Sequence, residues 1–306
     1  MKGCILILGG NGFIGSHLIK RCSELGYECV SISLKENIFI NNLINVKHIK
    51  VDIRNFSELN KALKGMKFDF VVNLSGYIDH SDIFNGGIDT FNTHFGGLVN
   101  VIRSIDLKEI KKFVQIGSSD EYGNTKSPQN EDSKEEPIST YSLAKLSCTN
   151  FLKMLYKTEG LPVVILRLFL VYGESQKADR FLPFVIKSCL RNEKFPTSLG
   201  VQIRDFCYVS DIIDGIVIAL TEKNCNGEVI NLASGIPISI REIVEKIVKN
   251  VGYGKPQFGE IKYRPQENMK LYADIGKAKK LLNWEPKVKL ETGLAKTITY
   301  YRKKLF

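Results

Sequence analysis

Seven residues near the start of the chain, Gly9-Gly10-Asn11-Gly12-Phe13-Ile14-Gly15, constrain its fold more than any other stretch. They follow the short apolar run Cys4–Leu8 and open Ile14–Leu25, whose apolar residues recur at helical spacing. Strand, glycine turn and helix in that order make a cradle for a pyrophosphate. The glycines allow a tight turn and close backbone approach, and the N–H groups of the helix N-terminus point at the anion. The spacing of Gly9, Gly12 and Gly15 is a weak signal alone, and its strand–turn–helix setting gives it weight. A purely structural turn is the plainer alternative, and dinucleotide binding is the stronger reading.

The rest of the first half repeats the alternation. Glu28–Ser33, Val46–Val51, Phe70–Leu74, Phe113–Ile116 and Val163–Phe169 read as strands with helical stretches between them. That pattern predicts an α/β fold, a doubly wound parallel sheet with helices on both faces. Beyond Tyr172 it loosens into helices near Phe181–Arg191, Asp211–Leu220 and Ser239–Val248, separated by loops rich in Gly, Asn and Pro. The expected division is a dinucleotide-binding domain over 1–172 and a smaller C-terminal substrate-binding region over 173–306, with some chain crossing back.

Composition narrows the class. Hydrophobic residues make up 43% and charged residues 25%, as in a folded globular protein. No apolar stretch is long enough to span a membrane, and even Leu161–Tyr172 is cut by Arg167. Gly9, Gly10 and Asn11 end the first apolar run too early for a signal peptide. The seven cysteines form no C-x-x-C pair and the four histidines show no metal spacing. Reduced thiols, a cytoplasmic location and no metal are expected. The net charge of +10 suits an anionic partner, but the lysines are dispersed, which favours a phosphate-bearing small molecule over nucleic acid.

Chemistry is suggested by Tyr141-Ser142-Leu143-Ala144-Lys145. Residues four apart share a helix face, and an ammonium beside a phenol favours the phenolate and lowers its pKa. Such a tyrosine exchanges a proton with a sugar oxygen while hydride moves at the same carbon. Ser118, in Gly117-Ser118-Ser119-Asp120-Glu121-Tyr122-Gly123, follows a strand, where open parallel sheets bind ligands. The end of the second strand carries Ser33 and Lys35 with no carboxylate to repel a 2′-phosphate, so NADP is expected, with NAD as the alternative. Asp52 either accepts from an adenine amino group or holds a turn.

These motifs resemble the extended short-chain dehydrogenase/reductase family, in its nucleotide-sugar epimerase, dehydratase and reductase branch. The resemblance continues through Arg167–Gly173, Arg204–Asp211, Glu228–Gly235, Arg264-Pro265 and Leu281–Pro286. It implies a Rossmann-like fold, with Ser118, Tyr141 and Lys145 as catalytic residues. The expected cofactor surface is Gly9, Gly12, Phe13, Ile14, Gly15, Ser33, Lys35, Asp52, Ile53 and Leu74, completed by Tyr141 and Lys145. Ser119 and Asp120 are expected at the substrate, and Arg204 and Arg264 are implied to clamp the diphosphate of a nucleotide sugar. A paired-helix homodimer is implied, through the helix over 141–157 and that near 97–105.

Two positions depart from the family pattern. Leu170 stands where an Asn usually helps hold the phosphates, and His94 stands near another usual Asn, either supporting the cofactor domain or serving as a structural histidine. Tyr77, His80 and Ser81 are placed at the nicotinamide end or the sugar pocket. Three reactions compete. Reduction of an NDP-4-keto-6-deoxy sugar leads because Ser33 points to NADP, 4-epimerisation follows, and 4,6-dehydration through Asp120 comes third. A dinucleotide-sensing module without turnover is the alternative outside enzymes.

Overall fold

The computed structural model describes residues 2–35, 43–263 and 267–305. Strands β1 (Cys4–Leu8), β2 (Glu28–Ser33), β3 (Val46–Lys50), β4 (Phe70–Asn73), β5 (Lys112–Ser118) and β6 (Val163–Leu168) come from the first half of the chain. They are followed by β7 (Leu170–Tyr172), β8 (Lys194–Thr197), β9 (Ile203–Tyr208), β10 (Val229–Leu232), β11 (Pro237–Ser239), β12 (Lys255–Phe258) and β13 (Lys270–Leu271). The main sheet has seven strands in the order β10-β6-β5-β4-β1-β2-β3, and every neighbouring pair is parallel. This is the expected Rossmann-like sheet. Its edge strand β10 comes from beyond residue 172.

Except along the edge strand β3, both faces are buried, which is why the inner strands read as mostly apolar runs. Along β1, Ile5 and Ile7 join one core with Leu18, Ile19 and Cys22 of α1 (Phe13–Glu24) and Ile212 and Ile216 of α7 (Val209–Thr221). Leu6 and Leu8 point the other way. They meet Leu59 of α2 (Phe56–Leu63), Leu98 and Val101 of α4 (Gly97–Ser104), and Cys148 and Leu152 of α5 (Thr140–Glu159). The period of two in the strand thus separates two helical layers.

Strand order reverses between β1 and β4, so their C-terminal ends open a crevice there. Over that end lies a smaller sheet in which β9 pairs with β7, β11 and β13. A two-stranded pair, β8 and β12, stands beside it. The remaining helices are α3 (Ile88–Phe91), α6 (Phe181–Leu190), α8 (Ile240–Val251), α9 (Gly276–Leu282) and α10 (Leu290–Leu305). A π turn over Asn92–Gly96 joins α3 to α4. Among the described residues no helix is long and apolar enough to cross a membrane.

Candidate active site

The loop after β1 is shaped by close approach. Gly9 has φ +79°, and a Cβ there would lie 2.7 Å from the Leu74 carbonyl oxygen. A Cβ on Gly15 would overlap the Gly9 carbonyl and come within 2.8 Å of the Gly10 Cα. The half-buried Phe13 and Ile14 begin α1, whose N-cap Gly12 offers no side-chain cap, and the first turn carries no acidic residue. The N-terminal N–H groups therefore meet no competing carboxylate, as an anion site requires. These residues fit a dinucleotide pyrophosphate.

At the end of β2, the Ser33 hydroxyl donates to the Lys35 carbonyl at 2.9 Å. His48 Nε2 lies 3.0 Å from the same carbonyl. Ser33 is half-buried and Lys35 exposed. Asp52 accepts the backbone N–H of Arg54 at 2.9 Å and is gripped by its guanidinium at 2.6–3.1 Å. The Arg54 hydrogen bond holds the Asp52 carboxyl below its usual range, against a smaller opposing effect of burial. Asp52 thus holds a turn. Ile53 beside it is buried, and its carbonyl accepts from Asn100 at 2.9 Å.

Ser118 is the last residue of β5. It accepts the Asp120 N–H at 3.2 Å, while the Glu121 carboxylate accepts the Ser118 N–H at 2.8 Å. This reciprocal cap starts the short 3₁₀ turn Ser119–Tyr122 and leaves Ser119 buried. Opposite, Ser139 caps α5 and places Tyr141 in its first turn, with Lys145 one turn on. Ser118 lies near enough to the Tyr141 phenol to favour its ionised form. The chain therefore brings Ser118, Tyr141 and Lys145 together.

The electrostatics correct one expectation. The Tyr141 phenol is pushed up, not down, first by burial and then by the charges of Asp120 and Glu121. The Ser118 hydrogen bond and Arg180 oppose this. Lys145 does not reach the hydroxyl. Its Nζ sits 6.0 Å from the Tyr141 ring centre and donates to the Ile116 carbonyl at 2.9 Å, and burial pushes this lysine down.

His94, in the π turn, resolves as a buried neutral histidine. Its Nε2 bonds the Tyr77 carbonyl at 2.9 Å, and burial followed by the Lys145 charge lowers it to about 3. Its ring packs edge-on to Tyr141 at 5.3 Å. His80 packs on the same phenol at 5.5 Å and bonds Asp120 at 2.8 Å.

On β9, Arg204 donates to the Ile203 carbonyl at 2.8 Å and pairs with Glu267. Its neighbour Asp205 is fully buried. It accepts from the Ser234 N–H and hydroxyl, the Gly235 N–H and the Ala273 N–H at 2.6–3.3 Å, which braces the smaller sheet. Leu170 packs against the core opposite Phe206. Arg264 lies outside the described residues.

Two features escaped the sequence reading. Arg180, at the N-cap of α6, carries a charge close enough to lower the Tyr141 phenol. Arg167, fully buried, binds Glu121 at 2.9 Å and Glu135 at 2.7 Å and lies 4.5 Å over the Tyr122 ring. Its only sequence signal is a charge inside an apolar strand.

The family model described as GDP-mannose 4,6 dehydratase matches residues 6–297. The chain belongs to this family. As a GDP-mannose 4,6 dehydratase-type member of the extended short-chain dehydrogenases/reductases, it is an enzyme of the nucleotide-sugar-modifying branch. Its relatives differ in reaction. The UDP-glucuronate 4-epimerase of Thermodesulfobacterium geofontis is 28% identical, over 85% of this chain and 81% of that protein. The dTDP-glucose 4,6-dehydratase of Haemophilus influenzae is 27% identical, over 97% of each. The UDP-glucuronic acid 4-epimerase of Bacillus cereus, solved with UDP-glucuronic acid and NAD, is 30% identical, with TM-score 0.88 over 99% of this chain and 100% of that one.

Proposed function

We propose that this enzyme is a nucleotide-sugar 4-epimerase that oxidises and re-reduces C4 on a recycled NAD. The observation that carries the reading is the convergence of Ser118 and Tyr141 at the β5 end of the crevice, with Lys145 behind them. The NAD-bearing 4-epimerase of the same fold supports it.

NAD, when bound, supplies a hydride acceptor and a positive charge that favours the phenolate. In this proposal the residues over 1–172 hold the dinucleotide. Gly9, Gly12, Phe13, Ile14 and Gly15 form the pyrophosphate cradle, with Ser33, Lys35, Asp52, Ile53 and Leu74 toward the adenosine. Lys145 holds the nicotinamide ribose. Tyr141 takes the proton from the C4 hydroxyl and later returns it, and Ser118 hydrogen-bonds that same oxygen. Ser119 and Asp120 line the sugar.

Residues from 173 onward hold the nucleotide diphosphate through Arg204 and Arg264, whose planar donors suit it. Arg204→Ala is expected to remove a charge-assisted contact of about 2–3 kcal/mol. Steady-state kinetics should show a KM for the sugar raised on the order of a hundredfold, with cofactor affinity little changed. Equal loss of both affinities would make Arg204 structural. We further propose a cytoplasmic homodimer, supported by seven free cysteines and by half-buried Phe95, Phe151 and Leu155 on the helices of 92–104 and α5. A monomer by light scattering would remove the dimer.

A second reading, reduction of an NDP-4-keto-6-deoxy sugar with NADP, is favoured by Ser33 standing where a ribose-binding carboxylate would repel a 2′-phosphate. Ser33→Asp is then expected to weaken NADP(H) and favour NAD(H), because the new carboxylate repels the phosphate and accepts from the ribose diol. Titration of both nucleotides checks it, and a wild type already strongly selective for NAD(H) removes this reading. Mass spectrometry of co-purifying nucleotide, followed by incubation with UDP-glucose and UDP-glucuronic acid without added cofactor, separates the two reactions. Retained NAD and a 4-epimer support epimerisation. An NADPH requirement with a 4-keto sugar supports reduction.

A further inference from the structure

Beside Ser118, Tyr141 and Lys145 the crevice holds a second titratable pair. His80 comes from the segment after β4 and Asp120 from the turn after β5, forty residues apart in sequence. Their Nε2–Oδ2 distance is 2.8 Å, and the side chains are 34% and 29% exposed, so the pair faces the crevice and not the core. The His80 ring stands edge-on to the Tyr141 ring at 5.5 Å, and Ser118 Oγ caps the backbone N–H of Asp120. His80 thus holds the Asp120 carboxylate while Ser118 caps the backbone at the same residue, and the Asp120 charge acts on the Tyr141 phenol.

We propose that His80 and Asp120 are a positioning pair that governs the proton on the Tyr141 hydroxyl. The inference rests on the C4 reading above. The Asp120 carboxylate opposes ionisation of the phenol, since two negative charges side by side are costly. The His80 N–H fixes that carboxylate and draws part of its charge away from the phenol. The other groups facing Tyr141 are Glu121, Lys145, His94 and Arg180. Glu121 is committed to Arg167, Lys145 to the Ile116 carbonyl and His94 to the Tyr77 carbonyl, while the Asp120 charge is met by His80 at the crevice.

The two residues should act with opposite sign. Asp120→Asn removes the negative charge and is expected to move the pH limb of kcat/KM that titrates Tyr141 to lower pH, by about one unit for one neighbouring charge. His80→Ala exposes the charge and is expected to move the same limb to higher pH. His80→Gln, which keeps an N–H donor, is expected to restore it toward wild type, and Asp120→Asn with His80→Ala should match Asp120→Asn alone. The measurement is the pH profile of kcat/KM for the NAD-loaded enzyme on UDP-glucose and UDP-glucuronic acid, with thermal melts alongside. A purely structural pair would lower Tm or kcat without displacing the limb, and that result overturns the inference, as does displacement in the same direction by both variants. Each arm decides independently if the other variant does not fold. Loss of turnover in Tyr141→Phe with an unmoved limb in both arms rejects the pair alone, whereas near-normal turnover in Tyr141→Phe rejects the C4 reading beneath it.

Discussion

Tyr141→Phe is expected to keep the fold and dinucleotide binding while losing turnover by about 10²–10⁴-fold, the usual range for general acid–base catalysis. The phenyl ring preserves the edge-on packing against His80 and His94 at 5.5 and 5.3 Å. It removes only the hydroxyl, whose ionisation Ser118 favours and burial opposes. Burial and the Asp120 charge raise this phenol, which favours its protonated form before the dinucleotide's positive charge is present. Ser118→Ala should cost less, since it orients the oxygen without carrying the net proton. Rates on the nucleotide sugar, with cofactor content and melting curves of each variant, check this. Near-normal turnover in Tyr141→Phe would remove the catalytic assignment.

The largest stability effect is expected at Glu121, buried beneath the site. Its fully buried carboxylate accepts the Ser118 N–H and the Thr149 hydroxyl at 2.8 Å and the Arg167 Nε at 3.0 Å. Glu121→Ala leaves the Arg167 guanidinium buried with Glu135 as its remaining carboxylate, and leaves the Ser118 N–H without that acceptor. Breaking a buried pair from one side typically costs about 3–5 kcal/mol, roughly ten degrees in Tm for a chain of this size. Glu121→Leu combined with Arg167→Met should lose less than the sum of the single changes, because no lone charge stays buried. An unchanged Tm in Glu121→Ala would make the pair incidental.

How much of this was legible follows from where the signals lie. Buried parallel strands such as Cys4–Leu8 and Glu28–Ser33 announce themselves as apolar runs, and their observed limits coincide with those read from sequence. The helix α10 did not, because Leu294, Ile298 and Tyr301 carry its buried face amid lysines and threonines. Tyr141 and Lys145 share one helix, so their proximity was readable. The destination of the lysine ammonium, a carbonyl on β5, was not, nor was the burial that, with the Asp120 charge, raises the phenol instead of lowering it. Arg167 looked like an interruption of an apolar stretch when it is the centre of a buried charge network. The contact between His80 and Asp120 joins two strand ends, and no local spacing encodes it.

The most direct test of the central claim uses UDP-glucose and UDP-glucuronic acid deuterated at C4, incubated with purified enzyme and no added reductant. Reversible oxidation at C4 expects the 4-epimer to form with its deuterium retained at C4, and Tyr141→Phe to abolish the conversion. A 4-epimer that has lost its label to solvent, or no 4-epimer from either sugar by an enzyme that carries bound NAD, would contradict it.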